Sequence, residues 1–440
     1  MTIHDQIVEL IRSQDPEAAG IVQAEAERQS STIELIASEN HASEAVMHAA
    51  GTCMTNKYAE GYPGRRYYGG CEFHDAIERL AQDRAKAMFK CEYANVQPHS
   101  GAQANAAVFM AMMEPGSTFA SLVLADGGHL SHGLPINFSG HYYKPVHYPL
   151  VRDADSPDFE RIDYDAVRKV CLEHKPAMLL CGYSAYPRVI DFARFREIAD
   201  EVGAILMADV AHISGLIVGG QHPSPFPHAH VVTTTTHKSL RGPRGGLILT
   251  NDEDISKKVN RALFPGMQGG PLMHIITAKA VAFGEALGSG FRDYQKRVVE
   301  NARTLAEALT GLGYRITSGG TDNHLMLVDL TAKDPKGSEG DLTGKAAEKW
   351  LEAAGLITNK NGIPGDQRKP MVTSGLRLGT PAVTTRGFGA EQMKAVAGFI
   401  DRVLSAGLSG EDELSRVTQQ VRGEVRDLCA EFPLHGHAPV

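Results

Sequence analysis

Lys238 lies in a setting that suits covalent chemistry. Residues 231–236 are apolar and then threonine-rich, which predicts a strand, and the Gly- and Pro-rich residues after Lys238 predict a loop. Arg241 and Arg244 follow closely. Because nearby cations and partial burial both favour the neutral amine, this lysine has the properties of a Schiff-base nucleophile. A solvated surface lysine is the alternative interpretation, and a second site is needed to decide between them.

Asp209 provides that second site. It ends the apolar segment 204–208, which predicts a separate strand. A buried carboxylate needs a cationic partner, and the protonated ring nitrogen of a pyridine cofactor is one. A structural cap or a metal ligand is the alternative for Asp209 alone. Taken with Lys238, it predicts a pyridoxal 5'-phosphate (PLP) site, with Asp209 at the ring nitrogen and Lys238 at the aldehyde.

Residues 100–105 read Ser-Gly-Ala-Gln-Ala-Asn and open a predicted helix of small and apolar residues. Unpaired backbone N–H groups and the helix dipole make such a start a good phosphate site. Simple N-capping by Ser100 is the competing interpretation.

Histidines and one arginine complete the candidates. His129 and His132 are spaced as metal ligands are, but the neighbouring glycines predict a tight loop without a completing carboxylate, so we expect His129 to stack on a flat ring. His222, His228 and His230 lie in a Pro-rich loop and are interpreted as surface residues.

Arg377, in the apolar segment 374–380, suits a substrate carboxylate, and a structural ion pair is its alternative.

Composition limits the remaining classes of function. The 440 residues are 42% apolar and 22% charged, with a net charge of -8, which predicts a globular protein without affinity for nucleic acid or anionic membranes. The six cysteines are scattered and are expected to be reduced thiols. The apolar stretch 203–220 contains Asp209 and His212, and the N-terminus does not resemble a secretory signal. A cytoplasmic location and no membrane partner are the expectations.

Strand and helix patterns alternate through the first two thirds of the chain. Predicted strands at 119–124, 177–181, 204–207 and 247–249 are separated by helical segments such as 192–202, which predicts an α/β fold with a mostly parallel sheet covered by helices. We expect a helical arm at 1–30, a large domain at 31–290 and a small α+β domain at 291–440. The Gly-rich loops 60–70 and 264–271 are too long for simple turns and are expected to be functional.

These blocks together resemble serine hydroxymethyltransferase, a PLP enzyme with the fold type I architecture of aspartate aminotransferase. The resemblance covers nearly the whole chain, and its ordered motifs are specific. They occupy residues 35–40, 56–70, 100–105, 209–212, 233–246, 264–273 and 374–381.

The resemblance implies roles for individual residues. Lys238 would carry PLP, Asp209 would pair with its ring nitrogen, and His129 would stack on the ring. Ser184 and His212 would contact the phenolic oxygen, and Arg244 would orient the neighbourhood of Lys238. The phosphate and ring edge would be surrounded by Ser100, Gly101, Gln103 and His237, joined by Tyr58, Gly269 and Gly270 from a partner chain. The substrate amino acid would contact Ser38, Glu60, Tyr68 and Arg377.

The reaction implied by the resemblance belongs to one-carbon metabolism. It converts L-serine and tetrahydrofolate reversibly into glycine and 5,10-methylenetetrahydrofolate in an obligate homodimer with shared sites. Glu60 would transfer a proton near the reacting carbon. The folate would contact Glu60, Tyr67, Leu124, Gly128, Leu130 and Asn361.

Two positions depart from the family pattern. Ala102 stands where many relatives have serine, which removes a hydroxyl contact to the phosphate, and Met371 replaces a common phenylalanine on the folate side. The alternative functions are a folate-independent aldolase for 3-hydroxy amino acids, and a catalytically silent PLP protein with a regulatory or RNA-binding role.

Overall fold

A computed structural model describes residues 3–334, 336–337 and 340–434 of the chain. The chain divides into two compact units, one formed by Ala45–Lys296 and the other by Met1–Glu44 together with Arg297–Val440. The outer limits of the predicted arm and small domain, residues 1–2 and 435–440, lie outside the described residues.

The elements follow one another as short strands and longer helices. The helices are α1 (Ile3–Arg12), α2 (Pro16–Ser31), α3 (Glu44–Ala49), α4 (Glu72–Phe89), α5 (Gly101–Met112), α6 (Phe138–Tyr142), α7 (Tyr164–His174), α8 (Phe192–Val202), α9 (Ser214–Val218), α10 (Glu253–Leu263), α11 (Met273–Ala286), α12 (Ser289–Gly311), α13 (Gly344–Ala353), α14 (Pro381–Arg386), α15 (Ala390–Ser409) and α16 (Glu411–Glu431). The strands are β1 (Ile33–Glu34), β2 (Gly61–Tyr62), β3 (Arg65–Arg66), β4 (Tyr93–Asn95), β5 (Thr118–Leu122), β6 (Lys144–Tyr148), β7 (Met178–Cys181), β8 (Ile205–Asp209), β9 (Val231–Thr235), β10 (Gly246–Thr250), β11 (Arg315–Ile316), β12 (Leu325–Asp329), β13 (Leu356–Ile357), β14 (Asn359–Asn361) and β15 (Gly375–Gly379).

A seven-stranded sheet organises the unit Ala45–Lys296. Its order is β4-β10-β9-β8-β7-β5-β6, and β10 runs antiparallel to both of its neighbours while the other pairs are parallel. The predicted α/β fold with a mostly parallel sheet is therefore confirmed. In such sheets the ligand site lies at the carboxyl ends of the strands.

Helix α5 packs its small and apolar residues against this sheet. Ser100 caps it by accepting a hydrogen bond from the Gln103 N–H, and Ala104, Ala107 and Val108 are fully buried. Phe109 makes edge contacts with Phe119 on β5, at a ring-centroid distance of 4.9 Å. Because its buried face fits closely on the sheet, the start of α5 has a fixed position.

An antiparallel sheet of order β11-β12-β15-β14 lies in the second unit, with its own buried core. Ile33 and Leu35 belong to that core, and β1 pairs in parallel with β13 through Ile33 and Leu356. This pairing explains why residues 31–44, which the sequence pattern assigned to the large domain, group with the C-terminal unit. The division between the units falls within α12, six residues after the predicted boundary at 291.

A helix that crosses a membrane must be long and apolar. Within the described ranges, each helix is either too short or too polar to meet that requirement.

Candidate active site

Lys238 and Asp209 come from neighbouring parallel strands. Asp209 is the last residue of β8 and is in register with Thr233 on β9, and Lys238 follows β9 by three residues. Both side chains are buried. Parallel strands end at the same sheet edge, so the two residues lie at one edge.

Backbone hydrogen bonds close the loop that carries Lys238. Thr236 and Gly245 are joined across its base, and the Gly242 N–H donates to the Thr236 carbonyl at 2.7 Å. Arg241 adopts a left-handed backbone with φ of 61°, and its guanidinium lies 4.7 Å from the ring centroid of Tyr294. Arg241 is thus engaged with an aromatic face, while Arg244 is exposed.

Asp209 lies in a polar network. Its Oδ2 accepts from Asn105 Nδ2 at 2.8 Å and from His132 Nε2 at 3.1 Å, and its Oδ1 accepts from the Ala211 N–H. Burial by itself raises the pKa of Asp209, but the hydrogen bond from His132 and the other donors outweigh it and hold the pKa well below the usual value. Asp209 is therefore a buried, ionised carboxylate.

The same network fixes His129. Asn105 accepts from Thr233 Oγ1 at 2.6 Å and donates to Ser131 Oγ at 2.8 Å, which lies 2.7 Å from His129 Nδ1. Since the Ser131 N–H also donates to Nδ1, this nitrogen is an acceptor and the proton lies on Nε2. We call Asp209, Asn105, Ser131, His132 and Thr233 the Asp209 network.

Sequence reasoning assigned no site role to Asn105, Ser131, His132 or Thr233. The available signals were weak: His132 follows His129 by three residues, and Asn105 ends the motif that begins at Ser100. The contacts depend on the sheet, which brings residues about 100 positions apart together. Ligand atoms of His129, His132 and Asp209 all lie within 4.8 Å of one another, so folding supplies the carboxylate that the sequence interpretation did not find near the two histidines.

The start of α5 and the loop at 237–245 form an electropositive region. Burial lowers the pKa of His237 to about 3, with further lowering from the charges of Arg244, Lys238 and Lys279. His237 Nδ1 is buried and has no hydrogen-bond partner among the described residues. A Cβ at Gly101 would lie 2.5 Å from Thr235 Cγ2, so glycine is required for close packing there. An anion such as the PLP phosphate fits this donor set.

Two further predicted residues lie in loops at this sheet edge. The N–H groups of Ser184 and Ala185 donate to the Gly127 carbonyl, which joins the loop after β7 to the loop after β5. The His212 carbonyl accepts from Ser239 Oγ at 2.7 Å, so His212 is fixed beside the residue that follows Lys238.

A second group of predicted residues lies together on an exposed surface. Tyr58 and Tyr68 are 57% and 48% exposed, and their rings meet edge to face at 5.4 Å. A Cβ on Gly269 would lie 3.2 Å from Glu60 Oε1, and one on Gly270 would lie 3.2 Å from the Tyr58 ring. The negative charge of Glu60 raises the pKa of Tyr68. We call these residues the Tyr58 cluster: Tyr58, Glu60, Tyr68, Gly269 and Gly270.

Residues predicted to bind folate include several exposed apolar side chains. Tyr67 is exposed and its ring lies 5.6 Å from that of Phe264. Leu124 and Leu130 are also exposed, and they flank Gly128, where a Cβ would lie 2.2 Å from the Leu122 carbonyl oxygen. The loop after β5 therefore presents apolar side chains on a tightly folded backbone.

Arg377 and its partners belong to the other unit. Arg377 lies on β15, where its Nη2 is 3.4 Å from Ser38 Oγ and its Nε donates to Asn359 Oδ1 at 3.2 Å. Desolvation lowers its pKa to about 10, and the charge of Glu39 opposes this change. Asn361 lies on β14, and Met371 is exposed. Ser38 and Arg377, which are both predicted to hold the substrate carboxylate, thus lie close together within this unit.

Comparison with known proteins identifies the family of this chain. The family model described as serine hydroxymethyltransferase matches residues 11–400. The chain belongs to the serine hydroxymethyltransferase family. Proteins named serine hydroxymethyltransferase from Erythrobacter litoralis and Phenylobacterium zucineum are each 58% identical, over 96% and 98% of this chain and 94% and 97% of their own. A relative from Novosphingobium aromaticivorans with the same name is 56% identical over 97% of this chain and 95% of its own.

Serine hydroxymethyltransferases are PLP-dependent enzymes with tetrahydrofolate as co-substrate, so the predicted enzyme class and cofactors are confirmed. The residues described above fit PLP. An ionised buried carboxylate suits a protonated ring nitrogen, and the electropositive helix start suits a phosphate.

Proposed function

We propose that the protein transfers the hydroxymethyl group of L-serine to tetrahydrofolate, forming glycine and 5,10-methylenetetrahydrofolate, and that it also catalyses the reverse reaction. The observation that carries this proposal is that the buried, ionised Asp209 and the buried Lys238 lie at one edge of the sheet. A lysine amine holds the aldehyde of PLP, and an aspartate across the ring keeps the ring nitrogen protonated.

When bound, PLP withdraws electrons from the amino-acid carbon that loses the hydroxymethyl group. Asp209 supports this chemistry because the Asp209 network keeps its carboxylate ionised. His129, fixed through Ser131, packs against the ring face. Ser184 and His212 bind the phenolic oxygen, and Arg244 orients the Lys238 loop.

Phosphate binding is assigned to Ser100, Gly101, Gln103 and His237, with Tyr58, Gly269 and Gly270 supplied by the partner. The electropositive region around His237 supports this assignment. Ala45–Lys296 is accordingly the cofactor-binding unit.

Substrate binding is assigned to one group of residues at the serine carboxylate and to another at the serine hydroxyl. Arg377 and Ser38 hold the serine carboxylate, for which the guanidinium geometry is suited. Glu60 moves the proton of the serine hydroxyl, and Tyr68 positions the Glu60 carboxylate. Folate contacts Glu60, Tyr67, Leu124, Gly128, Leu130 and Asn361.

The functional protein is a homodimer in this proposal. The Tyr58 cluster is exposed in one chain although it contains a proposed catalytic acid, two tyrosines and two glycines. Insertion of this cluster into a second copy would bury those tyrosines and complete that copy's site. A cytoplasmic location is proposed on the basis of the six free cysteines, five of which are buried.

The test is a serine-to-glycine assay with and without tetrahydrofolate. The wild type is expected to cleave serine much faster when folate is present, and Glu60→Gln is expected to lose this response while still binding serine. Serine binding is followed by the change in the PLP absorbance band. A wild-type rate that does not respond to folate would refute the hydroxymethyl transfer, and an unchanged Glu60→Gln rate would remove Glu60 from proton transfer.

A further inference from the structure

Lys279 is a fully buried lysine in the middle of α11. Its Nζ lies 2.7 Å from the Val96 carbonyl oxygen, 3.0 Å from that of Pro98 and 2.8 Å from that of Gly246. An ammonium group has three N–H donors and no acceptor, so three carbonyls satisfy it completely. An apolar side chain of the same size would leave these buried carbonyls without that donor.

The three carbonyls belong to two segments that lead into the cofactor site. Val96 and Pro98 lie in residues 96–100, named here the phosphate turn, which ends at the Ser100 cap of α5. Gly246 begins β10 and is in register with Thr235, three residues before Lys238. Lys279 therefore links the phosphate turn to the strand pair that carries the Lys238 loop.

Local packing supports this link. A Cβ at Gly245 would lie 2.5 Å from Lys279 Cε, and a Cβ at Gly246 would lie 2.4 Å from the Ser100 carbonyl oxygen. The lysine stem and the phosphate turn thus occupy the space left by two consecutive glycines. The positive charge of Lys279 also contributes to lowering the pKa of His237, which indicates that the ammonium group acts on the same electropositive region.

Burial lowers the pKa of Lys279 to about 7, and this change is opposed by the charge of Glu78, on the neighbouring α4. Glu78 makes its own hydrogen bonds elsewhere. Its Oε2 accepts from Arg66 Nη2 at 2.6 Å, and its Oε1 accepts from Gln97 Nε2 at 2.8 Å. Glu78 is therefore satisfied by Arg66 and by the phosphate turn itself, while the hydrogen bonds of Lys279 go to backbone carbonyls.

We propose that Lys279 is a positioning residue for phosphate binding, because its ammonium group holds the phosphate turn against β10 and so fixes the start of α5. This inference rests on the proposed placement of the PLP phosphate at Ser100. Lys279 makes no contact with substrate in this account and acts through the backbone that it holds.

The test uses full-length protein freed of cofactor. Pyridoxine 5'-phosphate and pyridoxine are the probes, since both lack the aldehyde and neither forms a bond with Lys238. Lys279→Met is expected to weaken binding of the phosphate ester about tenfold or more, with pyridoxine affinity changed less than about twofold. Lys279→Gln, which retains two N–H donors, is expected to recover part of the loss. Lys257→Met, at an exposed ion pair with Glu253, is the matched control and should bind as the wild type does.

Ser100→Ala distinguishes a failure of the proposed phosphate site from a failure of the proposed role of Lys279. If Ser100→Ala weakens the phosphate ester while Lys279→Met and Lys279→Gln stay within about twofold of wild type, Lys279 has no positioning role. Equal losses for both probes would also overturn the inference, since a purely structural defect does not select for phosphate. If Ser100→Ala leaves the phosphate affinity unchanged, the proposed phosphate site itself is wrong. Should Lys279→Met fail to fold, the ratio of the two affinities in Lys279→Gln decides.

Discussion

The Asp209 network and the Tyr58 cluster differ in how completely one chain builds them. Every hydrogen bond that holds the Asp209 carboxylate comes from the same chain, and the carboxylate is buried. In the Tyr58 cluster the rings of Tyr58 and Tyr68 meet edge to face, but both tyrosines are exposed. In the proposed site, one chain therefore holds the carboxylate at the PLP ring by itself, whereas Glu60, the proposed proton-transfer group, belongs to a cluster with two exposed tyrosines.

Mixing two inactive variants tests most strongly whether Lys238 and Glu60 of one site come from different chains. Lys238→Ala and Glu60→Gln are each expected to be nearly inactive alone. If each site takes Lys238 from one chain and Glu60 from the other, a mixed dimer has one intact site. Random pairing on co-expression then restores roughly a quarter of wild-type activity.

The activity of the co-expressed protein, purified without separation of the dimer species, provides the measurement, and each variant expressed with itself is the control. Recovery that stays at the level of the single variants would mean that Glu60 and Lys238 act within one chain. The Tyr58 cluster would then be a surface feature and not a shared part of the site.

Arg377 extends the comparison to the unit that contains Ser38. Arg377→Ala is expected to raise the KM for serine roughly 10- to 100-fold, because a charged hydrogen bond to the carboxylate is lost. Steady-state kinetics measure this change. Arg402→Ala, which removes a half-exposed ion pair with Glu424, is the control and should leave the KM unchanged. A normal KM for Arg377→Ala would assign the serine carboxylate to another residue.

His132 tests whether the Asp209 network maintains the ionised carboxylate. The folded-state pKa of Asp209 is lowered, so its contribution to stability is present above its unfolded pKa, near 4, and is lost as the pH falls through the lower folded value. His132→Leu removes a cause of this lowering, so the folded pKa of Asp209 should move up toward the unfolded value, and the acid loss of stability should be smaller and complete at higher pH. The free energy of unfolding at pH 7 should fall by about 1–3 kcal/mol.

Urea unfolding at several pH values measures both effects of His132→Leu. Exposed His141 offers the matched control, since His141→Leu removes an imidazole outside the network. If the two variants have the same acid profile, the carboxylate does not depend on His132.

Ala102→Ser is expected to give the smallest effect. Ala102 is exposed in the first turn of α5, and a serine hydroxyl there would add one donor for the PLP phosphate. PLP affinity is expected to increase roughly two- to tenfold, with unfolding unchanged. Equilibrium dialysis of PLP measures it. Ala106→Ser, one helical turn further on, is the control, and an equal gain there would show that the effect is not specific to the phosphate end.

Local patterns predicted much of the fold. The predicted helix at 192–202 matches α8 because Asp191 caps its start and Gly203 its end. The predicted strand at 204–207 begins one residue before β8 and ends two residues before it does, and the predicted strand at 247–249 is one residue short of β10 at each end. The placement of residues 31–44 depends on the pairing of β1 with β13, more than 300 residues away, which no local pattern contains.

Local patterns predicted some residues of the candidate site and missed others. Lys238, Asp209 and Ser100 were visible because each follows a strand or opens a helix with a residue type that the chemistry requires. Asn105, His132 and Lys279 were not, since their contacts are made through the sheet or through backbone carbonyls. Residues that hold other groups in place have no distinctive sequence spacing.

The central claim is that Lys238 carries PLP opposite Asp209. Borohydride reduction of the PLP-loaded protein, followed by digestion and peptide mass mapping, tests it most directly. The account predicts a stable pyridoxyl label on the peptide that contains Lys238, and no label in Lys238→Ala. A label on another lysine, or one that persists in Lys238→Ala, would contradict it.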